Sequence, residues 1–236
     1  VEDILIRSSN VGTLMLAKKV GEKDYKAFIK KTNLLNTPDF ELEEVGTPLS
    51  FTWNKCKLET ISYGHGIAVT PLQATATYAA LANGGYMIKP TIIKQKEYQN
   101  QQKIISASTS KKINNILRKV VTEKEGTAKF ANIYGYDVGG KTGTSQKYGN
   151  KNENLNTFIS VFPSNEPKYT LLVMLENPQI ATDLIYNYKG IKIKGTRNEA
   201  GWNSVYTAGK IIKKIGPILA IKNEEFYNEH VAKKLN

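Results

Sequence analysis

The spacing of apolar residues in this 236-residue chain changes near Gly126, and that change limits the folds open to it. Upstream, apolar residues recur at helical intervals. Residues 2–7 read as a short helix broken by Ser8-Ser9-Asn10, residues 11–20 as a second that stops at Gly21, and residues 25–34 as a third. Residues 71–83 are a stronger case, with Pro71 suited to a first turn and Gly84-Gly85 closing the segment. Residues 110–123 carry Ile113, Ile116, Leu117, Val120 and Val121 along one side. Between these, 36–53 is broken by Pro38, Gly46 and Pro48 and reads as a surface excursion, while 86–95 reads as strand. Downstream the segments shorten. Residues 136–146, 156–162 and 169–175 read as strands of an antiparallel meander, separated by turn-forming stretches at 149–154 and 163–168. A helix over 202–215 follows, ended by Gly216-Pro217, and then a polar tail. The expected fold class is α+β, a helical lobe packed on an antiparallel sheet. At 40% apolar residues the chain can fill one sizeable core, or two lobes that share one.

Charge and cysteine content narrow the function classes. Lys plus Arg number 33 against 21 Asp plus Glu, a formal charge of +12. Only Arg7, Arg118 and Arg197 are arginines, however, and the lysines are scattered in nothing denser than pairs. Arginine is the better reader of phosphate forks and base edges, so nucleic acid is not an expected partner. The 21 asparagines point instead to a general drift in composition. Attraction to an anionic polymer or membrane surface is compatible with the charge. Cys56 is alone and the histidines are His65 and His230, which gives no disulfide, no recognised metal-ligand spacing and no expected metal or cofactor. A Cys56–His65 nucleophile pair is formally available, but a lone cysteine is usually a small buried residue. The longest apolar runs, such as 171–175, are far shorter than the ~18 residues of a membrane span. Val1-Glu2-Asp3 lacks the basic start of a signal peptide and lies in what reads as a helix, so the expectation is a fragment of a longer protein.

Three motif matches compete. Residues 135–142 satisfy G-x-x-x-x-G-K-T, the phosphate-loop pattern of a nucleotide-binding module. That loop needs a helix leaving from Lys141-Thr142, whereas Gly143-Thr144-Ser145-Gln146 and a polar turn follow. Ser108-Thr109-Ser110-Lys111 satisfies S-x-x-K, the acyl-serine pattern, but its polar surroundings ahead of an amphipathic helix suit capping better. The third match is a pair: Lys141-Thr142-Gly143-Thr144 on an expected strand and Ser8-Ser9-Asn10 between two expected helices. Each alone is weak, and K-T-G-T could be an ordinary edge strand protected by lysine.

Together the pair is ordered as in penicillin-recognising acyl-serine enzymes. Arg7 to Gly12, the stretch Ser62-Tyr63-Gly64-His65-Gly66 with Val69-Thr70-Pro71-Leu72-Gln73 after it, and residues 79–85 agree. Up to about Ile221 the chain resembles the C-terminal part of the transpeptidase domain of class B penicillin-binding proteins, the septal cell-division D,D-transpeptidases in particular. The resemblance implies a penicillin-recognising, β-lactamase-like fold that is N-terminally incomplete: one partial domain, 1–236, with a helical lobe over about 1–125, a sheet lobe over about 126–222 and a tail at 223–236. It also implies a location on the periplasmic face of the bacterial inner membrane, with the anchor upstream.

In that family the nucleophile lies in S-x-x-K upstream of S-x-N, and Ser108 lies in the wrong order for it. The resemblance therefore implies that the attacking serine is not in this chain and that the 236 residues alone are inactive. Ser8 would shuttle the proton and Asn10 would face the substrate amide. Lys141 would supply positive charge, while Thr142 and Thr144 would bind the terminal carboxylate of a D-Ala-D-Ala stem peptide or a β-lactam. The Thr144 N–H would form half of the oxyanion hole. Gly143 would leave room for substrate to lie along the strand. Tyr63 and His65 could equally border the cleft or form a structural turn. Cell-division membrane proteins are the implied partners of the intact protein. The alternatives are a D,D-carboxypeptidase or β-lactamase-like hydrolase, a non-catalytic scaffold, and the nucleotide-binding module.

Overall fold

A computed structural model describes residues 1–53, 57–95, 102–147, 150–188, 190–195 and 197–234. Cys56 and the side chain of His230 lie outside what is described. Seven α-helices occur in it: α1 (Glu2–Ile6), α2 (Asn10–Val20), α3 (Glu22–Lys31), α4 (Lys57–Ile61), α5 (Pro71–Ala82), α6 (Ala107–Thr122) and α7 (Ser204–Lys234). Strands β1 (Gly139–Lys147), β2 (Asn150–Phe162) and β3 (Tyr169–Glu176) pair antiparallel in the order β1-β2-β3, so β1 is an edge.

Strand alternation divides the sheet's side chains between two helical layers. Phe158, Phe162 and Val173 face α7, where they pack with Val205, Ala208 and Ile212; Val120, Val121, Ala128, Ala131 and Val138 complete that core. Val161 faces the other way, against Ala82 of α5 and Leu117 of α6, with Tyr78 and Ile113 alongside. The result is an α+β sandwich whose sheet lies between α5 and α6 on one side and α7 on the other. Thr70 caps α5 where its start is read from sequence, accepting from Gln73 N, whereas α6 starts three residues earlier than expected, capped by Ser106, which accepts from Thr109 N.

Four expectations need correction. Residues 86–95 do not form a strand; Tyr86 makes one isolated antiparallel bridge to Lys103, and Pro90 interrupts any ladder. The stretch expected as a turn at 149–154 largely belongs to β2, which begins at Asn150, because backbone pairing with β1 persists as far as Lys147↔Asn150 without needing apolar side chains. Gly216-Pro217 does not end α7, which continues to Lys234, so the tail is helical in its backbone. Gly216 is a notch: a Cβ there would lie 2.1 Å from the Tyr136 ring. The fourth is a hairpin the sequence pattern did not announce, β4 (Ile185–Tyr188) with β5 (Ile191–Lys194). Its Tyr186 is buried against Phe130, Trp202 and Tyr206.

Candidate active site

Ser8 is presented by a break between two helices. α1 ends with the buried Ile6, and Ser8 then adopts φ +57, the left-handed region that non-glycine residues seldom occupy. Its backbone is fixed on both sides, by Ser8 N–H to the Leu5 carbonyl (3.3 Å) and Ser9 N–H to the Ile4 carbonyl (2.9 Å). Ser9, in extended conformation, caps α2 by accepting the Gly12 N–H at 3.1 Å. A serine held in this way has only its exposed side chain left to project. Asn10 follows as the first residue of α2, also exposed.

Lys141 approaches from β1. Its Nζ donates to Ser8 Oγ at 2.6 Å, across 133 residues of sequence, and to the Thr142 carbonyl at 3.0 Å. Both partners are neutral, and among the described residues Lys141 has no carboxylate in ion-pair range. Burial pushes its ammonium down to about 8. A half-buried cation without a counter-charge is a ready receptor for an anion. Because Ser8 Oγ accepts from Lys141, the serine keeps its own hydrogen to donate elsewhere.

The other residues expected here divide by strand alternation. Thr142 and Thr144 project from the opposite face of β1 to Lys141, so the free edge of the strand lies between them and the lysine. Thr142 Oγ1 is 2.8 Å from Thr127 Oγ1, and Thr144 Oγ1 accepts the Ala200 N–H at 3.2 Å. Neither Thr127 nor Ala200 was marked by the sequence reading, and a backbone amide has no sequence signature at all. Gly143 also faces a close neighbour across the sheet. A Cβ there would lie 2.5 Å from Thr157 Oγ1 of β2, so a side chain at 143 would force that hydroxyl to turn.

The competing motifs lack their geometry. Lys141 and Thr142 lie inside β1, which runs on to Lys147 with no helix leaving from them. Ser108 lies exposed in the first turn of α6 with its Oγ 2.9 Å from the capping Ser106 Oγ. Tyr63 and His65 sit with rings stacked, 6.4 Å apart, on an exposed turn whose Gly64 and Gly66 have positive φ. Among the described residues no cluster of His, Cys, Asp or Glu could hold a metal ion. No helix among them is long and apolar enough to cross a membrane.

Residues 1–197 match the family described as penicillin binding protein transpeptidase domain. A probable peptidoglycan D,D-transpeptidase FtsI of Caulobacter vibrioides is 30% identical, over 94% of this chain and 38% of that protein. Stage V sporulation protein D of Bacillus subtilis is 29% identical, over 93% of this chain and 34% of its own length. The chain thus spans well under half of these two relatives. Among solved structures, penicillin-binding protein 3 of Mycobacterium tuberculosis, complexed with ampicillin, superposes with a TM-score of 0.74 at 26% identity, covering 92% of this chain and 51% of that one. The apo transpeptidase domain of Burkholderia pseudomallei penicillin-binding protein 3, at 22% identity, a TM-score of 0.75 and coverage of 92% and 64%, shares the fold.

Proposed function

The chain belongs to the penicillin-binding protein transpeptidase domain family, and from that premise we propose that it forms part of a cell-division peptidoglycan D,D-transpeptidase working by acyl-serine transfer. The observation that carries this reading is the 2.6 Å contact of Lys141 Nζ with Ser8 Oγ, which joins the S-x-N and K-T-G-T segments into one site.

In the proposed reaction a serine hydroxyl attacks the carbonyl of the penultimate D-Ala of a stem peptide. An ester C–O bond forms, the peptide C–N bond breaks, and the terminal D-Ala leaves with a proton on its amine. The amine of a second stem peptide then attacks the ester, which forms the cross-link and restores the serine. Ser8 passes the proton to the leaving amine, and Asn10 holds the substrate amide. Lys141, Thr142 and Thr144 take the terminal carboxylate, and the Thr144 N–H forms half of the oxyanion hole. Gly143 keeps the strand edge low enough for substrate to lie along it. A β-lactam enters by the same route, its strained amide opening onto the serine.

The nucleophile is proposed to come from sequence outside residues 1–236. S-x-x-K occurs once within them, at 108–111, where Ser108 belongs to the cap cluster of α6. On the same reading residues 1–236 form one partial transpeptidase domain, with helical and sheet lobes meeting near residue 125 and a tail from 223. The intact protein acts at the periplasmic face of the inner membrane, anchored upstream and partnered by division proteins of that membrane.

A fluorescent penicillin tests the proposal. The 236 residues alone should not be labelled, whereas protein extended upstream through an S-x-x-K helix should be labelled on that serine. Labelling of the 236 residues at Ser108, or no labelling of the extended protein, would sink it.

A further inference from the structure

Thr144 is propped from behind by a polar cluster that the motifs do not include. Asn156 stands directly across from Thr144 in the β1–β2 register, on the same face, and is fully buried. Its Nδ2 donates to the Asn198 carbonyl at 2.9 Å. Asn198 is gripped twice more: its Oδ1 accepts from Asn203 Nδ2 at 3.1 Å, and its own Nδ2 donates to the Pro178 carbonyl. Two residues on, the Ala200 N–H reaches Thr144 Oγ1, and the Ala200 carbonyl accepts from the buried Ser204 Oγ at 3.1 Å. Asn156 is therefore linked to the Thr144 hydroxyl through one short stretch of backbone.

That linkage has a chemical consequence. A hydroxyl that accepts a backbone N–H is oriented by it and keeps its hydrogen for another acceptor. Thr144 is thereby fixed as a donor. The arrangement also costs stability, since Asn156 Oδ1 is buried with no hydrogen-bond partner among the described residues. An apolar residue opposite Thr144 would avoid that cost but would release the Asn198 carbonyl. We propose that Asn156 is a positioning residue for carboxylate recognition, acting through Asn198 and the Ala200 amide to hold the Thr144 hydroxyl as a hydrogen donor toward the substrate's terminal carboxylate. This rests on the transpeptidase reading above.

The test uses the full-length protein and two stem-peptide analogues, one ending in the D-Ala carboxylate and one in its carboxamide, with kcat and KM measured for each. Asn156→Leu keeps roughly the shape of the side chain and removes the donor without adding a charge. It should reduce the preference for carboxylate over carboxamide by about tenfold, mainly through KM, because bonds to charged groups are the strong ones. Asn203→Ala, which loosens Asn198 without touching the sheet, should lower the same preference less, and it serves if Asn156→Leu does not fold. In the Thr144→Val background neither change should lower the preference further. Equal losses on both analogues, or an unchanged preference in the two single variants, would overturn the inference. If the unmutated protein is not acylated by penicillin, it is the transpeptidase reading that fails instead.

Discussion

The two walls of the site are built to different standards. The β1 wall belongs to a sheet with helices on both faces: Gly139 and Gly140 are buried, and Phe158 and Val161 of the neighbouring strand are fully enclosed. The Ser8 wall is a joint between a five-residue helix and an eleven-residue one, which bury only Ile6 and Ala17. Residues with few buried contacts open at lower free energy than core strands. The cation therefore rests on the better-buried wall, and the Ser8 hydroxyl on the wall that can yield. Their 2.6 Å hydrogen bond is where the two meet.

The most severe way to break that junction is Lys141→Ala in the full-length protein. Acylation by a penicillin should fall by about 10²–10³-fold, comparable to losing one preorganised stabilising group, while the fold survives. A loss under tenfold in stopped-flow labelling would mean that the β1 wall works without its cation.

Stability should separate the walls next. A Cβ at position 140 would lie 2.6 Å from the Ile159 carbonyl oxygen and from the Phe158 ring, so Gly140→Ala should destabilise by about 1–3 kcal/mol. Asn10→Ala, at an exposed position on the other wall, should stay within about 0.5 kcal/mol. Urea midpoints of the two variants would show whether this asymmetry is real.

Lys141 also makes the comparison depend on pH. Its folded value near 8 lies below its ordinary 10.5 because burial disfavours the charged form. Between those values the unfolded chain holds the proton that the folded chain has released, so stability should rise with pH across this window and level off below about 8. Lys141→Met should flatten the rise. Carboxylate capture runs the other way, since it needs the cation. With the pKa near 8, acylation should be about tenfold lower by roughly pH 9, and Lys141→Arg should move that descending limb upward. An ascending limb near pH 8 would show that the neutral amine is the working form.

The mildest test is Ser9→Ala, which removes the α2 cap and should cost about 1 kcal/mol. Hydrogen exchange should quicken in α1 and α2 and stay unchanged in β1 and β2. Equal quickening in both would deny that the walls are separately stabilised.

Much of this was legible in advance. The amphipathic spacing of Ile113, Ile116, Leu117, Val120 and Val121 marked α6, because a helix that packs on a sheet must carry its apolar residues on one side. The three strands of the meander were likewise visible as short β-type segments. The errors fall where local signals and tertiary contacts disagree. Gly216-Pro217 carries a helix-stop signal, yet α7 passes through it, with the Tyr136 ring filling the space a side chain would take. Asn150 looked like turn, yet pairs in β2, because ladder hydrogen bonds are made by backbone.

The sequence by itself singled out the residues proposed to carry the chemistry: a serine and asparagine at a helix break, and a lysine followed by hydroxyls on a strand. Residue type and local order suffice for that, since each motif is a few residues long. Only the tertiary structure decided that Lys141 and Ser8 touch, and that Thr142 and Thr144 lean on Thr127 and the Ala200 amide. It also decided that Thr157 Oγ1 stands across the sheet where a Cβ at 143 would come within 2.5 Å. These contacts join residues that are 14 to 133 positions apart, and no local spacing rule reaches that far. Burial of Lys141, which lowers its pKa, is likewise a property of the folded chain and has no local sequence signal.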